Sequence, residues 1–568
     1  AGALELWCLR LLADLDEPET SILTALAVLG RAATLARLLP VAGLDPGTEF
    51  DAVDRLIDRG LIIASGAAVC FVHEIVRERV YRSIHSPRCR QLHGLVAELL
   101  EQESFTPGVI ALHFSLSFQE SRAFAYAMRA ARANHEVHSY VDADYYARLA
   151  TSVASVAADL AEAACLRASI LLEMRKPAEA LPILRRYESV LKQDGNELGL
   201  MMLAQAELEA AWACGIYDAS TVAQQASALV ASAQRLGRLD RLIAAVASLA
   251  AAANATGRRE LVNDVLLVLE ERVETIDDPS WHAELLCTAA RLYCCCGKLS
   301  GAERASDAAL IAAEKSEYAG HRVLALAAAG VTALTAGRLA LAAQNFERAL
   351  ELIESEELDQ LRRLVTNDYA IVLLEQGHAN RARDILAEYV RVATRQDATI
   401  ALANLATVYF WSENWARLES VVDELVGAVV ATQAHSVSIA ATAFRGILDL
   451  RKHGAEKARV SYDRLVELVP ADGDILGDPS YAHMFLARYR VAIGDAPLAA
   501  SGLRSAIAHT KDGDKLATWR LRLELSGVVG HGDPDLGWRI AHDVSVQAQT
   551  VGAILIHNRA TAIAGAFG

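Results

Sequence analysis

The sequence predicts an all-α protein: a small N-terminal unit of three helices and a β-hairpin, then a right-handed α-solenoid superhelix of about eleven helix pairs. The main observation is a repeat of ~40 residues, in which an Ala-rich amphipathic helix, a short turn and a second helix follow one another. A second observation is composition, because 53% of the residues are apolar but only 6% are aromatic. Such a core consists mainly of Ala, Leu and Val, as closely packed helix pairs require.

The eleven turns define the repeat. Four consecutive turns are spaced by 40 residues, at Gly257, Gly297, Gly337 and Gly377. The full set of predicted turn positions is Ser139, Arg175, Gly215, Gly257, Gly297, Gly337, Gly377, Asn414, His453, Gly494 and Gly532. Glycine suits a position where a helix ends. Because neither helix of a pair could bury its apolar stripe alone, the repeats are expected to stack into one continuous core.

A small residue follows each turn at a fixed offset, where two helices must approach closely. It is Ala342 after Gly337 and Ala382 after Gly377. The same offset gives Ala180, Ala302, Ala458 and Ala499. Val262 and Glu419 break this rule, and the pair around Asn414 is predicted to be shifted by one residue.

These positions resemble the tetratricopeptide repeat, which has a Gly turn, a small residue and later an Ala-x-x-x-aromatic pattern. Its usual period is about 34 residues, so each helix here is expected to be longer by roughly three residues. The array is predicted to occupy residues 106–568.

Residues 1–105 do not share the repeat and are predicted to form a separate winged-helix-like domain. Helical patterns at 20–29, 32–39 and 50–59 precede two short apolar runs, 61–64 and 69–72, around a Ser-Gly turn. The third helix, FDAVDRLIDR, contains three Asp and two Arg. Since a DNA-recognition helix should be net positive, we interpret this domain as an intramolecular coupling element.

Two sequence motifs resemble the segment that follows the nucleotide-binding module in STAND-type ATPases, particularly the large ATP-binding regulators of the LuxR family. The first motif begins in the second run of the predicted hairpin, and the second motif follows it. Their residues are Phe71, His73, Arg77, Tyr81, Arg90, His93 and Ala97. The resemblance continues through most of the chain. It implies a C-terminal part of such a regulator, without the ATPase module, where ATP and Mg would bind, and without a helix-turn-helix output domain. We therefore expect the chain to be a fragment of a longer protein.

The residues themselves predict no catalysis and no cofactor. The Gly-rich loop that wraps phosphates in P-loop ATPases, G-x-x-x-x-G-K-[ST], does not occur in the sequence. His73-Glu74 begins like a zinc-protease motif, but Arg77 stands where the second His ligand is needed, so no metal site is expected. Cys287, Cys294 and Cys295 are predicted to be reduced and to pack in the core.

Net charge and hydropathy limit the classes of partner that we expect this chain to bind. The formal net charge of −16 argues against a nucleic-acid-binding surface, and no run of about 18 apolar residues suggests a membrane span. We expect a cytoplasmic location. The expected partners are an effector small molecule or regulatory protein, the chain's own ATPase module, and a second copy through self-association.

Ligand recognition is the most specific functional hypothesis. Stacked pairs curve, and the first helix of each pair is expected to line the concave side, where equivalent positions converge on one groove. The polar and aromatic residues predicted to face this groove are Gln205, Glu209, Trp212, Glu284, Arg291, Asn367, Thr407, Phe410, Trp411, Tyr481 and Arg488. The alternative is that the aromatic residues only fill gaps between helices.

Two main functions remain from the sequence, and a cyclase-linked or kinase-linked STAND protein with another output is a third. In the first, the chain is the sensor and protein-interaction region of a STAND-type transcriptional regulator, and effector binding on the concave surface is relayed to the ATPase module. In the second, it is a tetratricopeptide-repeat scaffold that binds a partner peptide without any nucleotide switch. The winged-helix-like domain favours the first, because a scaffold does not need it.

Overall fold

The computed structural model describes residues 14–30, 32–45, 50–137, 139–174, 176–214, 216–392, 395–432, 435–469, 475, 477–510 and 513–567. Within these residues the chain forms 29 α-helices, one 3₁₀ turn (Asp359–Leu361) and one three-stranded sheet. It divides into two compact units, residues 1–207 and 208–568. The predicted all-α solenoid is confirmed.

The first unit opens with three helices and a small sheet. In chain order the elements are α1 (Glu17–Leu29), β1 (Ala33–Thr34), α2 (Leu35–Ala42), α3 (Phe50–Asp58), β2 (Ile62–Ser65) and β3 (Ala68–Phe71). The predicted hairpin is β2–β3, with Ile62 opposite Phe71. Strand β1 pairs with β3 on its other side, so the sheet order is β1-β3-β2. The sequence reasoning did not anticipate β1, which is only two residues long.

Helix α1 shows how local chemistry sets these elements. Asp16 Oδ1 accepts a hydrogen bond from the Glu19 N–H at 2.8 Å, and Glu19 Oε2 accepts one from the Asp16 N–H at 3.0 Å. This reciprocal capping box satisfies two amide groups that would otherwise lack a helical partner. The helix ends at Gly30, whose φ of +72° suits glycine best.

Three helices connect this region to the array, and they are α4 (Glu74–Ser83), α5 (Ser86–Gln102) and α6 (Pro107–Leu116). The predicted domain boundary between residues 105 and 106 falls between α5 and α6, inside the first unit. The boundary between the two compact units falls inside a later helix, Glu197–Ala213.

Eleven helix pairs follow in the described residues. The first helices of the pairs are α7 (Glu120–Glu136), α9 (Ala157–Glu173), α11 (Glu197–Ala213), α13 (Leu239–Thr256), α15 (Pro279–Cys295), α17 (Ala319–Thr335), α19 (Arg362–Glu375), α21 (Arg395–Trp411), α23 (His435–His453), α25 (Ser480–Ala492) and α27 (Lys515–Gly530). The second helices are α8 (Tyr140–Val153), α10 (Pro177–Asp194), α12 (Ala219–Arg235), α14 (Arg259–Val273), α16 (Leu299–Glu314), α18 (Leu339–Ser355), α20 (Ala379–Val392), α22 (Trp415–Thr432), α24 (Ala455–Leu468), α26 (Ala496–Thr510) and α28 (Pro534–Thr550). A single helix, α29 (Ile554–Gly565), ends the array.

Among the described residues, the predicted turns lie between the first and the second helix of a pair. The exception is His453, which is the last residue of α23 and is followed by Gly454. Arg175 and Gly215 lie outside the described residues. The small residues after the turns are fully buried, as their role in close helix contact requires. They are Ala180, Ala302, Ala342, Ala382, Ala458 and Ala499. Val262 is also fully buried at the same offset, so this position accepts a larger side chain.

The pair around Asn414 is shifted by one residue, as expected. Helix α22 starts at Trp415, and the fully buried residue is Leu418, whereas Glu419 is partly exposed and pairs with Lys452 at 2.9 Å. The left-handed turn residue is shifted as well, because Glu413 has φ +54° where other turns have glycine.

In the second unit the first helices form a continuous inner layer. From α13 to α27, each first helix contacts the first helix of the following pair. The last of them, α27, contacts α29. The layer also closes on itself, since α13 contacts α23 and α19 contacts α29. Each of these contacts joins elements five pairs apart. One turn of this superhelix therefore takes about five pairs, and successive turns touch.

The regularly spaced glycines lie at this contact between superhelical turns. A Cβ on Gly257 would lie 2.5 Å from the His435 ring, one on Gly337 would lie 3.2 Å from Lys515 Cβ, and one on Gly377 would lie 3.2 Å from Ile554 Cγ2. The Gly477 N–H donates to the carbonyl oxygen of Cys295 at 3.2 Å. The C-terminal end of a first helix thus faces the N-terminal end of the first helix five pairs later, which places opposite ends of two helix dipoles together.

Candidate ligand-binding site

A cavity of about 300 Å³ opens on the inner layer of the second unit, where α25 and α27, the first helices of the last two pairs, meet α29. Its walls come from the C-terminal end of α21 and from α25, α27 and α29. The lining residues are Trp411, Met484, Arg488, Val491, Arg520, Leu523, Glu524, Gly527, Val528, His531, Arg559 and Ile563. The cavity therefore combines an apolar wall with three guanidinium groups, one carboxylate and the His531 imidazole.

Two of the predicted groove residues, Trp411 and Arg488, line this cavity. Trp411 Nε1 donates to the Tyr481 hydroxyl at 2.9 Å, so the indole orientation is fixed. Arg488 donates from Nε and Nη2 to the two oxygens of Glu524, each at 2.8 Å. Such a two-point pair holds a guanidinium in one orientation.

A buried ionic cluster lies behind the cavity and joins two superhelical turns. The Arg520 guanidinium on α27 pairs with the carboxylate of Glu375 on α19, 145 residues earlier in the chain. Arg520 Nη1 also donates to Asp478 Oδ2 at 2.6 Å. Both Arg520 and Glu375 are almost completely buried. Such a pair is strongly held because breaking it would leave an uncompensated buried charge.

The acidic groups of this cluster outnumber the basic ones. Burial raises the pKa of Glu375, and the nearby Arg520 lowers it only in part. The pKa of Asp514 is raised to about 7, first by burial and then by repulsion from Asp478. Glu375 Oε2 and Arg520 Nε have no hydrogen-bond partner among the described residues. The cluster is therefore sensitive to any change of charge at Arg520.

The third guanidinium of the cavity, Arg559 on α29, is held less firmly. It lies over the Trp411 ring, 5.0 Å from the centroid, and 3.5 Å from Oε1 of the exposed Glu413. Burial lowers the pKa of Arg559, and the positive charge of Arg488 lowers it further. Arg488 and Arg559 therefore face the same cavity within electrostatic reach of each other.

Tyr481, Phe410 and Thr407 lie in the protein core rather than on the cavity surface. Phe410 packs edge-on against Trp411 and Tyr481, with ring centroids 5.1 and 5.9 Å apart. Thr407 donates to the carbonyl oxygen of Ala403 at 3.1 Å, within its own helix. For these three residues, direct ligand contact stays a prediction.

Three further predicted groove residues lie on α15 and α19, at another part of the inner layer. Arg291 Nη2 donates to Asp368 Oδ2 at 2.8 Å, and Asn367 accepts a hydrogen bond from Asn404 at 3.1 Å. Glu284, two turns of α15 before Arg291, is partly buried, and this burial raises its pKa. Arg291 and Asn367 thus form cross-helix contacts, and none of the three residues lines the cavity.

Gln205, Glu209 and Trp212 lie on α11. Gln205 is buried, Glu209 is exposed and Trp212 is half-buried. None of the three lines the cavity described above. Their role in ligand binding stays a prediction.

Sequence reasoning missed Arg520, Glu524 and Arg559. A signal for the first two was present, because α27 carries three charged residues, Arg520, Arg522 and Glu524, in the middle of a first helix. Arg559 had no comparable signal, since α29 lies after the last complete pair.

The motif residues of the first unit form a structural network. The Tyr81 hydroxyl is 2.9 Å from His93 Nε2, and His93 Nδ1 is 2.9 Å from His113 Nδ1. Arg77 Nη1 donates to the Ala27 carbonyl oxygen at 3.2 Å, next to the end of α1. These contacts tie α4, α5, α6 and α1 together. A neutral His93 can donate from Nδ1 to His113 while it accepts from Tyr81.

The cysteines of the described residues show neither a disulfide nor a metal site. Burial raises the pKa of Cys287 and that of Cys295 to about 12, so both are protonated at neutral pH. No group of three or more His, Cys, Asp or Glu side chains in the described part of the chain could hold a metal ion. Among the same residues, no helix is long and apolar enough to cross a bilayer.

Comparison with known proteins gave only structural similarities. No protein-family model matches the chain, and no curated protein matches it in sequence. A STAND protein with a tetratricopeptide repeat sensor from Pyrococcus horikoshii is similar with 14% identity and a TM-score of 0.34 over 88% of this chain. This chain covers 63% of that protein's length. The APC/C hetero-tetramer Cut9-Hcn1 contains a chain similar over 83% of this one and 96% of its own length, with 11% identity and a TM-score of 0.33.

Proposed function

We propose that this chain is the sensor and protein-interaction region of a STAND-type transcriptional regulator, and that an effector binds on the concave side of its repeat array. The observation that carries the proposal is the cavity formed by α21, α25, α27 and α29. It combines an apolar wall with a few convergent polar groups, as small-molecule sites usually do. Its volume of about 300 Å³ suits a small molecule rather than a folded partner.

The position of the cavity gives a route by which binding could change the array. Arg520 lines the cavity and also pairs with Glu375, which belongs to the preceding superhelical turn. A ligand that attracts Arg520 would weaken this pair, whereas one that fixes it in place would strengthen the closure. The free energy of binding would then shift the balance between closed and opened arrangements of the array.

The N-terminal helices and hairpin fit the role of a coupling element. Arg55 and Arg59, the two basic residues in or next to α3, both pair with the buried Glu19, at 3.1 and 3.3 Å. Arg55 also pairs with Asp16 at 2.6 Å. Because these cations are already compensated, they offer little attraction to DNA phosphates. We therefore propose contact with the ATPase module of the complete regulator instead of DNA.

The alternative, a scaffold for a partner peptide, needs an open groove along the first helices. Between α19 and α29 that path is occupied by side chains of the protein itself, since Glu375, Arg520 and Tyr481 are all buried there. A peptide helix with side chains is about 10 Å wide and would have to displace this cluster. The closed inner layer favours the small-molecule effector.

A binding screen tests the proposal. Sugars, nucleotides and acyl-thioesters would be tested for thermal stabilisation of the full chain, and each hit would be measured by calorimetry. We expect saturable binding that is lost in Trp411→Ala, which alters the cavity wall, and retained in Trp212→Ala, which does not. Loss only in Trp212→Ala, or no binding in the whole screen, would contradict the proposed site.

A further inference from the structure

We propose that the cavity selects a small anionic molecule, a carboxylate or a phosphate monoester, whose body is flat and apolar. This inference rests on the proposed function, because it names the chemical class of the effector. Three guanidinium groups and one carboxylate line the cavity beside the His531 imidazole, and the three guanidinium groups differ in how completely they are compensated.

Two of the three cations already have buried or firmly bound partners. Arg488 is matched by both oxygens of Glu524, and Arg520 by Glu375 and Asp478. The described residues give Arg559 one ion pair, with Glu413 at 3.5 Å, and the Glu413 side chain is 66% exposed. Such an exposed pair stabilises little and is screened by salt. Among the charged groups of the lining, Arg559 is therefore the one that is least compensated.

Repulsion between Arg559 and Arg488 supports the same conclusion. Burial lowers the pKa of Arg559 most, the positive charge of Arg488 lowers it further, and the carboxylates of Glu524 and Glu413 raise it, so Arg488 and Arg559 lie within electrostatic reach of each other. An anion between them would remove this repulsion and gain charge-assisted hydrogen bonds from Arg559. A cationic ligand would increase the repulsion, so the site should reject amines.

The remaining walls define the body of the ligand. Met484 and Leu523 are buried apolar residues of the lining, and Val528 and Ile563 extend this apolar surface. The Arg559 guanidinium lies 5.0 Å from the Trp411 ring centroid. An anion bound to Arg559 would thus place its attached group beside an indole and an aliphatic wall, where a flat apolar group buries most surface.

A larger side chain at Gly527 should fill part of the cavity without disturbing the fold. It lies within helix α27 and lines the cavity, and a Cβ at this position would have no heavy atom within 4 Å. Leucine favours the helical conformation more than glycine does. Gly527→Leu should therefore fill part of the cavity and leave the helix intact. Gly427→Leu is the matched control, since Gly427 is an exposed glycine inside α22 with equally open space.

The test measures binding of four probes to the full chain by ligand-observed NMR at millimolar concentration. The probes are phenylacetate, phenyl phosphate, the neutral phenylacetamide and inorganic phosphate. We expect the two aromatic anions to bind saturably, and phenylacetamide and inorganic phosphate to bind at least about tenfold more weakly, because each lacks one of the two interactions. Equal binding of phenylacetate and phenylacetamide would overturn the inference, as would no binding of either aromatic anion.

Three variants test whether the probes bind in the cavity. Arg559→Gln should weaken phenylacetate binding about tenfold, Gly527→Leu should abolish it, and Gly427→Leu should leave it unchanged. Phenylacetate binding that survives Gly527→Leu would overturn the inference. If the effector screen instead found a neutral sugar whose binding is lost in Gly527→Leu, the sensor function would stand and the anionic selectivity alone would be wrong.

Discussion

His93 shows how a residue of a recognisable motif can serve the fold. Its imidazole is buried between the Tyr81 hydroxyl and the His113 ring, and burial lowers its pKa from 6.5 to about 4. A charged His93 would lose the acceptor nitrogen that faces Tyr81. The network therefore requires the neutral form.

This pKa shift predicts a pH dependence of stability. The folded chain binds the His93 proton less readily than the unfolded chain, so the contribution of His93 is complete above about pH 6.5 and is lost as the pH falls towards 4. The loss should reach roughly 3 kcal/mol at most. Urea titrations of the wild type and of His93→Gln should show a clearly smaller pH dependence in the variant over this range. Equal pH dependence of both proteins would show that His93 is not the group responsible.

Leu418 and Glu419 test the shifted register of α22. Leu418 is fully buried and Glu419 is partly exposed. Leu418→Ala should lower the free energy of unfolding by about 2–5 kcal/mol, because it leaves a cavity in the core. Glu419→Ala removes only the pair with Lys452 and should cost less than about 1 kcal/mol. Similar losses in both variants, measured by urea titration, would mean that the register is wrong.

The helix pairs themselves were predictable from the sequence, and the contacts between superhelical turns were not. Glycine turns and small residues at fixed offsets are local, so they predicted the turn positions and the buried Ala342 and Ala382. The closure depends on the small rotation that accumulates over five pairs, which no local pattern encodes. For that reason Trp411 and Arg488 were found, but Arg559, on the helix after the last complete pair, was not.

A substitution at Gly513 tests the contact between the end of α15 and the region just before α27. A Cβ at Gly513 would lie 2.7 Å from Gly297 Cα and from the Gly297 carbonyl oxygen, which are backbone atoms that cannot rotate away. Gly513→Ala should therefore lower the free energy of unfolding by about 1–3 kcal/mol, as overpacking does.

The control for Gly513→Ala is Gly427→Ala, in open space within α22. Removing a glycine from a helix interior should raise stability by about 0.5–1 kcal/mol. Thermal unfolding of both variants and the wild type would give the comparison. A Gly513→Ala chain as stable as Gly427→Ala would mean that the two superhelical turns do not touch there.

The second unit as a whole is a coil that closes on itself, and this closure accounts for both the cavity and the buried ionic cluster. Leu339, in α18, shares a hydrophobic core with Leu516 and Trp519, in α27. The same closure brings Arg520 to Glu375 and forms the cavity in front of them. An effector in this cavity would act on the contact that holds successive turns together.

A double-mutant cycle between Glu375 and Arg520 tests this closure most directly. The cycle compares the free energies of unfolding of the full chain, of Glu375→Gln, of Arg520→Met and of the double variant. Arg520→Met should lose about 3–5 kcal/mol, because it leaves the buried Glu375 without its partner, and Glu375→Gln should lose less, because Arg520 keeps its pair with Asp478. Since the two residues are 145 positions apart in the chain, they can couple only if the superhelix closes. A coupling energy of about 1–3 kcal/mol would support the closed inner layer, and a value below about 0.5 kcal/mol would contradict it.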